Sequence, residues 1–490
     1  MQGRLAQLVE ILGPDRVSDA PERLAAFTGD RSFVKPIAPD AVVQAGTVAD
    51  VRALVRWANE TKTPLVPVSS GAPHHRGDAA PRVPGAVVVD LSGMKRILSI
   101  DRTNRMCVVE PGVTYPELQA ALAEKGMTLP ATLAPRATKS VLASCLETEP
   151  RLNALHQWCF LDPLRCVEVT WGDGNTMFTG EAGGAAMDLE KQWSENRFQI
   201  EPTGPMMLDF YRLLTGAQGT MGIATWASLK CELLPSAHVM NLVSADRLED
   251  LVDFAYRVLR MRFSDEFLIL NRAQLAMLLG ADAAGMDRLR AGLPAWFALV
   301  GVAGRELLPK ERVAQQTADL ADLAKDCGLA LRPAVGTVTG DAVLAALPGR
   351  ADGRDWKEVR KGAYQDVFFT TTLDKADAFV AEMATLAAEA GYPADDVGVT
   401  LQPQNMGTSY HCEFTLPYDA AVPRETARVR ALFSEASRRF SALGAYYLRP
   451  YGEWARLQLN RDAQSMETLR RLKSIFDPNG ILNPGQLSNQ

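Results

Sequence analysis

Two stretches of this 490-residue chain hold residue types and spacings that could do chemistry: GTSYHCEF around His411, and VPVSSGAPHHRGDAAP, residues 66–81. Tyr410, His411 and Cys412 alternate on an expected strand, so Tyr410 and Cys412 share one face and His411 takes the other. An imidazole at His411 can accept a proton near neutral pH, although a lone strand histidine also serves as a structural hydrogen-bonding residue. In 66–81, Gly71 and Gly77 carry no Cβ and can adopt positive φ, while Ser69 and Ser70 add hydroxyl donors. Such a loop lets backbone N–H groups close on an anion such as a pyrophosphate. The same residues also suit a plain strand-to-strand crossover shaped by Gly and Pro.

Two further stretches are punctuated in a similar way. GAQGTMGIATWASLK (216–230) places three glycines in seven residues and then enters a β-branched run, which suits close approach of backbone to a flat or anionic group, or a purely steric turn. FDPNGILNPG (476–485) carries Asp477-Pro478 and Asn483-Pro484, each pushing its first residue away from helix, so the tail is expected to be a fixed double turn.

The elements that must position these loops follow from periodicity. VADVRALVRWANETKT reads as a helix feeding the strand PLVPV; AVVVDL, MCVV and YPELQAALAEKG read as strand, strand and helix. RCVEVTWGDGNTMFTGE is a hairpin turning on Gly-Asp-Gly-Asn, and 181–205 reads as a long irregular loop. Near residue 236 the pattern changes to a second α+β unit, with strands HVMNLVSA and AWFALVGVAG and helices RLEDLVDFAYRVLRM and RVAQQTADLADLAKDCG, ending near Leu448 before a last helix and the double turn.

Bulk composition excludes several classes. At 490 residues the chain exceeds the usual size of one core, so two domains are expected. A net charge of -6 without a Lys/Arg block argues against a nucleic-acid partner. Seven scattered cysteines with no C-x-x-C pair argue against a disulfide framework or a cysteine-built metal centre, and no metal is expected. The N-terminus fits neither a signal nor a transit peptide, and no apolar run approaches the ~20 residues of a membrane helix, so a cytoplasmic location is expected.

In combination and in this order the segments TPLVPVSSGAPHHRGDAAP, PGAVVVDLSGMKRIL, VVEPGVTYPELQAAL, VEVTWGDGNTMFTGE, LTGAQGTMGIATWASLKCELLP and IFDPNGILNPG resemble the FAD-linked oxidoreductases of the vanillyl-alcohol oxidase and p-cresol methylhydroxylase family, whose other branch holds glycolate and D-lactate dehydrogenase flavoprotein subunits. The resemblance implies an α+β fold: a two-part FAD-binding domain, residues 1–235 with 456–490 returning to it, and an α+β cap or substrate domain, 236–455. It implies FAD as cofactor, with the loop Ser69, Ser70, Gly71, Ala72, Pro73, His74, His75 and Gly77 around the pyrophosphate. APRATKSVLASC (Pro135, Ser140, Ser144) would lie against pyrophosphate and ring, and Gly219, Thr220, Gly222 and Ile223 against the adenosine half; Asn483 joins them from the tail. It implies hydride removal from an alcohol, 2-hydroxy acid or alkylphenol carbon, with His411, Tyr410, Arg449 and Tyr451 as candidate catalytic residues. The implied partners are a small-molecule substrate and an electron-accepting iron-sulfur or cytochrome protein, in an oligomer.

The chain departs from the family pattern in two loops. Ala72, Pro73, His74, His75, Arg76 and Asp78 stand among positions rich in glycine, and Val141, Leu142, Ala143, Ser144 and Cys145 stand where the family carries a Gly-Gly or Gly-Asn step. Each added Cβ is expected to crowd the cofactor. Two outcomes follow: a bound but shifted FAD, with Arg76 neutralising phosphate and His74 in position for covalent attachment although it follows Pro73, or an FAD-free structural subunit of the same fold in a hetero-oligomeric complex.

Overall fold

The structure is a computed structural model that describes residues 2–153, 157, 159–179, 191, 194–195, 210–459 and 461–487. The expected loop 181–205 lies outside the described residues apart from 191, 194 and 195.

The helix Val48–Thr61 begins where Thr47 and Asp50 form a reciprocal capping box and ends at Lys62 in the left-handed conformation. Val51, Leu54, Val55 and Ala58 line its buried face and share a core with Leu65, Val87 and Val89. The strands Ala41–Gln44, Val87–Asp90 and Leu65–Val68 run parallel in that order, and Val17–Ser18 adds an antiparallel edge. Their nearly continuous burial is what a sheet covered on both faces requires.

The double turn closes this sheet from the far end of the chain. The Asp477 carboxylate accepts the N–H groups of Ile481 (3.0 Å) and Leu482 (2.8 Å), which folds the tail back. Leu65 N–H then donates to the Ile481 carbonyl at 2.7 Å, and Asn483 N–H to the Leu65 carbonyl at 2.8 Å. Residues 480–483 therefore extend the sheet beside Leu65–Val68.

A second, five-stranded antiparallel sheet follows in the order Ile97–Asp101, Met106–Val109, Gly222–Lys230, Leu164–Trp171, Thr176–Phe178. The expected hairpin is its outer pair, with Gly174 at φ +90° in the turn. The helices Tyr115–Ala123 and Val141–Leu146 pack on it through Leu118, Leu122, Val141 and Leu142.

The third sheet has seven strands, all antiparallel: Leu331–Arg332, Ala237–Ala245, Trp296–Gly304, Phe267–Asn271, Gly398–Gln404, Ser409–Tyr418, Ala363–Thr371. Its central strands alternate strictly. Val399, Leu401, Tyr410, Cys412, Phe414 and Leu416 enter an aromatic-rich core with the helices Val252–Met261, Ala376–Glu389 and Pro423–Ala442. Each fully buried large side chain there contributes about 1.5–3 kcal/mol. The opposite face carries Thr400, Gln402, Glu413 and Asp366, which are buried although polar. A polar face withdrawn from water must be satisfied by something across from it. No described helix is long and apolar enough to cross a membrane.

Candidate functional site

Two adjacent cavities lie along the seams between these sheets. The first, of about 110 Å³, is walled by Ser69, Ser70, Gly77 and Asp78, by Leu142, Ala143, Leu146 and Glu147, by residues 216–219 and 222–224, and by Asn483 and Gln486. The loops converge for identifiable reasons. Gly71 N–H donates to the Thr138 carbonyl at 2.9 Å, and Ser140 N–H donates to Ser70 Oγ at 3.1 Å, tying the first loop to the helix Val141–Leu146. Gly77 turns at φ +72° and its N–H donates to the Asp30 carboxylate. Gly219 has φ +71°, and a Cβ there would lie 2.6 Å from Pro67 Cγ, so only glycine lets the two loops meet. Asn483 Nδ2 donates to the Gln218 carbonyl at 2.8 Å and fixes the tail against the third wall.

Pro67, Leu91, Pro111, Leu142 and Ile223 offer apolar walls to a ring system. Asn483 Oδ1 and Arg449 Nε are buried in residues lining the cavity and have no hydrogen-bond partner among the described residues, one an acceptor and one a donor. Buried groups left this way call for a ligand. The Glu147 carboxylate in the wall is already compensated by Lys139 at 2.6 Å and Arg449 at 3.1 Å. Among the substituted positions Asp78, Leu142 and Ala143 line this cavity, while His75 and Arg76 turn to the other. The residues present fit a dinucleotide.

The second cavity, about 100 Å³, meets the first at Asp78 and Arg449 and lies under the polar face of the cap sheet. His75, Arg76, Lys139 and Glu149 line it from one side, and Thr400, Gln402, His411, Glu413, Lys357 and Tyr364 from the other. Arg76 bridges the two sides, reaching Glu149 at 3.4 Å, Asp366 at 3.3 Å and Glu413 at 3.3 Å, with its guanidinium 4.4 Å from the Phe368 ring centroid. Lys357 Nζ lies 2.9 Å from Asp366 and donates to Glu413 as well. Burial and the neighbouring Glu413 push the Asp366 carboxyl up. Although burial opposes its charge, Lys357, His411 and Arg76 hold Glu413 well below the usual carboxylate range. His411 Nε2 lies 3.4 Å from Glu413 Oε2, on the same face of the strand two residues away.

Three groups in this cavity stand apart from the network. Arg136 is half-buried, donates to the Pro73 carbonyl, and has no carboxylate within ion-pair distance among the described residues. Gln402 Nε2 and His75 Nε2 are buried without hydrogen-bond partners.

The candidate residues named from sequence fall into three groups. Ser69, Ser70, Gly77, Gly219, Gly222, Ile223 and Asn483 line the first cavity, and Arg449 lines both. His75, Pro135 and His411 line the second. The rest line neither. Gly71, Ala72, Pro73 and His74 form the outer arc of the loop, and the His74 ring packs against Phe27 at 5.3 Å. Ser140 caps the helix Val141–Leu146, and Ser144 Oγ bonds Glu149. Thr220 Oγ1 donates to the Ala217 carbonyl at 2.7 Å. Tyr410 is fully buried in the cap core, because strand alternation turns it away from His411, and Tyr451 packs against Trp454 at 5.0 Å in the same core. Arg76, expected against phosphate, is instead held by three carboxylates. Sequence reasoning passed over Lys357, Asp366, Glu413, Gln402 and Arg136. The available signal was a charged residue set at even spacing inside an apolar strand, in AYQDVFF and YHCEF.

Comparison with known proteins agrees with this geometry. Residues 39–145 match an FAD binding domain, and residues 453–487 match the C-terminal domain of FAD linked oxidases. D-2-hydroxyglutarate dehydrogenase of Stutzerimonas stutzeri (strain A1501) is 23% identical over 98% of this chain and 98% of its own length. The flavoprotein subunit of 4-cresol dehydrogenase (hydroxylating) from Pseudomonas putida is 25% identical over 97% of this chain and 93% of its own. The crystal structure of p-cresol methylhydroxylase with substrate bound superposes with a TM-score of 0.80 at 19% identity, covering 99% of this chain and 96% of that one. The chain therefore carries an FAD-binding domain at one end and the FAD-linked oxidase C-terminal segment at the other, and shares the p-cresol methylhydroxylase fold throughout.

Proposed function

We propose that the protein removes a hydride from the hydroxyl-bearing carbon of a small 2-hydroxy acid held in the second cavity, and passes the electrons to an iron-sulfur or cytochrome partner. The observation that carries this is His411 paired with Glu413 on the buried polar face of the cap, in the wall of the second cavity. Bound FAD supplies the hydride acceptor. His411 takes the hydroxyl proton at Nδ1, the nitrogen turned from Glu413, as the C–H bond breaks, and charged Glu413, facing Nε2, stabilises the imidazolium that forms. Arg136, without a carboxylate of its own, attracts the substrate carboxylate, and Gln402 Nε2 donates to a substrate oxygen. The Arg76 and Lys357 network holds the cap over the cavity and keeps water out. In this reading residues 1–235 and 456–490 serve the cofactor, 236–455 serve the substrate, and Ser69, Ser70, Gly77, Gly219, Gly222, Ile223 and Asn483 hold the dinucleotide. A 2-hydroxy acid as hydride donor also accords with the D-2-hydroxyglutarate dehydrogenase relative, and a partner protein with the 4-cresol dehydrogenase relative being a flavoprotein subunit.

The test is anaerobic mixing of purified protein with a panel of D- and L-2-hydroxy acids and of 4-alkylphenols, read as bleaching of the flavin band. Bleaching by a hydroxy acid, lost on His411→Gln with the flavin still bound, supports the proposal. Bleaching by alkylphenols alone overturns the substrate class. Colourless protein that FAD cannot reconstitute favours the structural-subunit alternative instead.

A further inference from the structure

The seam that carries the second cavity also gathers a set of metal-ligating atoms that the proposed reaction does not use. His75 Nε2 and one carboxylate oxygen each from Asp355 and Glu358 lie within 4.8 Å of one another. His75 comes from the loop at 69–78, and the two carboxylates from the cap turn that precedes the strand Ala363–Thr371.

A second observation points to a ligand. His75 is only 7% exposed, yet its Nε2 has no hydrogen-bond partner among the described residues and stands 3.7 Å from Glu358 Oε1. Asp355 is already oriented, because one oxygen accepts from Tyr364 Oη at 2.8 Å and the other from Lys357 N–H at 3.1 Å. The His75 ring stacks on Tyr364 at 5.3 Å. Side chains that hold a ligating group in place in this way are what metal centres depend on. The bland alternative is the ion pair between Arg31 and Glu358 with His75 as a bystander. It leaves Asp355 without a cation of its own and the imidazole nitrogen unused.

We propose that His75, Asp355 and Glu358 bind one divalent cation of the zinc or manganese class, which pins the pyrophosphate-side loop to the cap. Arg31, with 42% of its side chain exposed, releases Glu358 to the metal and swings into solvent. One nitrogen and two carboxylate ligands, drawn to about 2.0–2.2 Å from a common centre, suit such an ion. No bond is made or broken beyond coordination, and the proposal stands whether or not the reaction above is right.

The experiment uses the full chain after chelator treatment. Zn2+ is titrated by calorimetry and Mn2+ by electron paramagnetic resonance, and the melting midpoint is followed on adding Zn2+. The expected result is about one equivalent bound, a rise in melting midpoint, and affinity weakened about tenfold or more in both His75→Gln and Asp355→Asn. Arg31→Gln, which frees Glu358, is expected to bind more tightly. Circular dichroism and flavin content of each variant show that it has folded. Absence of stoichiometric binding in both the parent protein and Arg31→Gln overturns the proposal, as does binding that His75→Gln and Asp355→Asn leave unchanged.

Discussion

Replacing Arg76 by Met tests whether the cap is held by buried charge balance. Arg76, Lys357, Lys139 and Arg449 face Asp366, Glu413, Glu149 and Glu147, four cations against four carboxylates. Arg76→Met leaves one carboxylate too many in a site where Asp366 and Glu413 have side chains only 3% and 8% exposed. Stranding a buried charge costs about 3–5 kcal/mol. Because Arg76 keeps 21% of its side chain exposed, the loss should fall near the lower end, about 3 kcal/mol, including the contact with Phe368. The sign of the pH dependence follows. Without Arg76 the raised Asp366 carboxyl rises further and Glu413 and Glu149 lose part of what holds them low, so the folded protein binds more protons, and the loss is greatest at alkaline pH and shrinks as pH falls into the carboxylate range. Adding Asp366→Asn should recover about 1–2 kcal/mol, because the excess charge is then gone while Asn can still accept from Thr415. The assay is urea unfolding followed by the fluorescence of Trp356 and Trp454 in the cap, at several pH values. A loss under about 1 kcal/mol at alkaline pH, or a double variant less stable than Arg76→Met alone, would refute the charge-balance argument.

Three further outcomes are expected. Glu413→Gln should lower the rate of flavin reduction by about 10-fold or more and shift its pH profile, with flavin content retained, as measured by stopped flow. Gly219→Ala should lose FAD on dialysis, read as the ratio of flavin to protein absorbance, because a Cβ at φ +71° meets Pro67 Cγ at 2.6 Å. His238 donates to Glu266 at 2.9 Å, and although burial opposes its charge, that hydrogen bond raises it above the ordinary value of 6.5. Its contribution to stability is therefore full below about pH 6.5 and lost as pH rises through the raised value, so His238→Gln should lower the melting midpoint more at about pH 6 than at about pH 8.

Much of the framework was legible along the chain. The capping box at Thr47 and Asp50, the Gly-Asp-Gly-Asn turn and the Asp-Pro-Asn-Gly tail each act within a few residues, so their geometry is written where it operates. Strand alternation likewise separated Tyr410 from His411 before any sheet was known. Alternation tells which side chains share a face, and nothing about what that face meets. That Glu413 and Asp366 turn inward to a loop arginine 337 and 290 residues away, and that His75 comes to lie against Glu358, depends on how the cap settles over the first two sheets. A polar strand face beside water and one sealed under another domain have the same pattern of residues. Only tertiary packing removes the water, and with the water gone the charges must find one another.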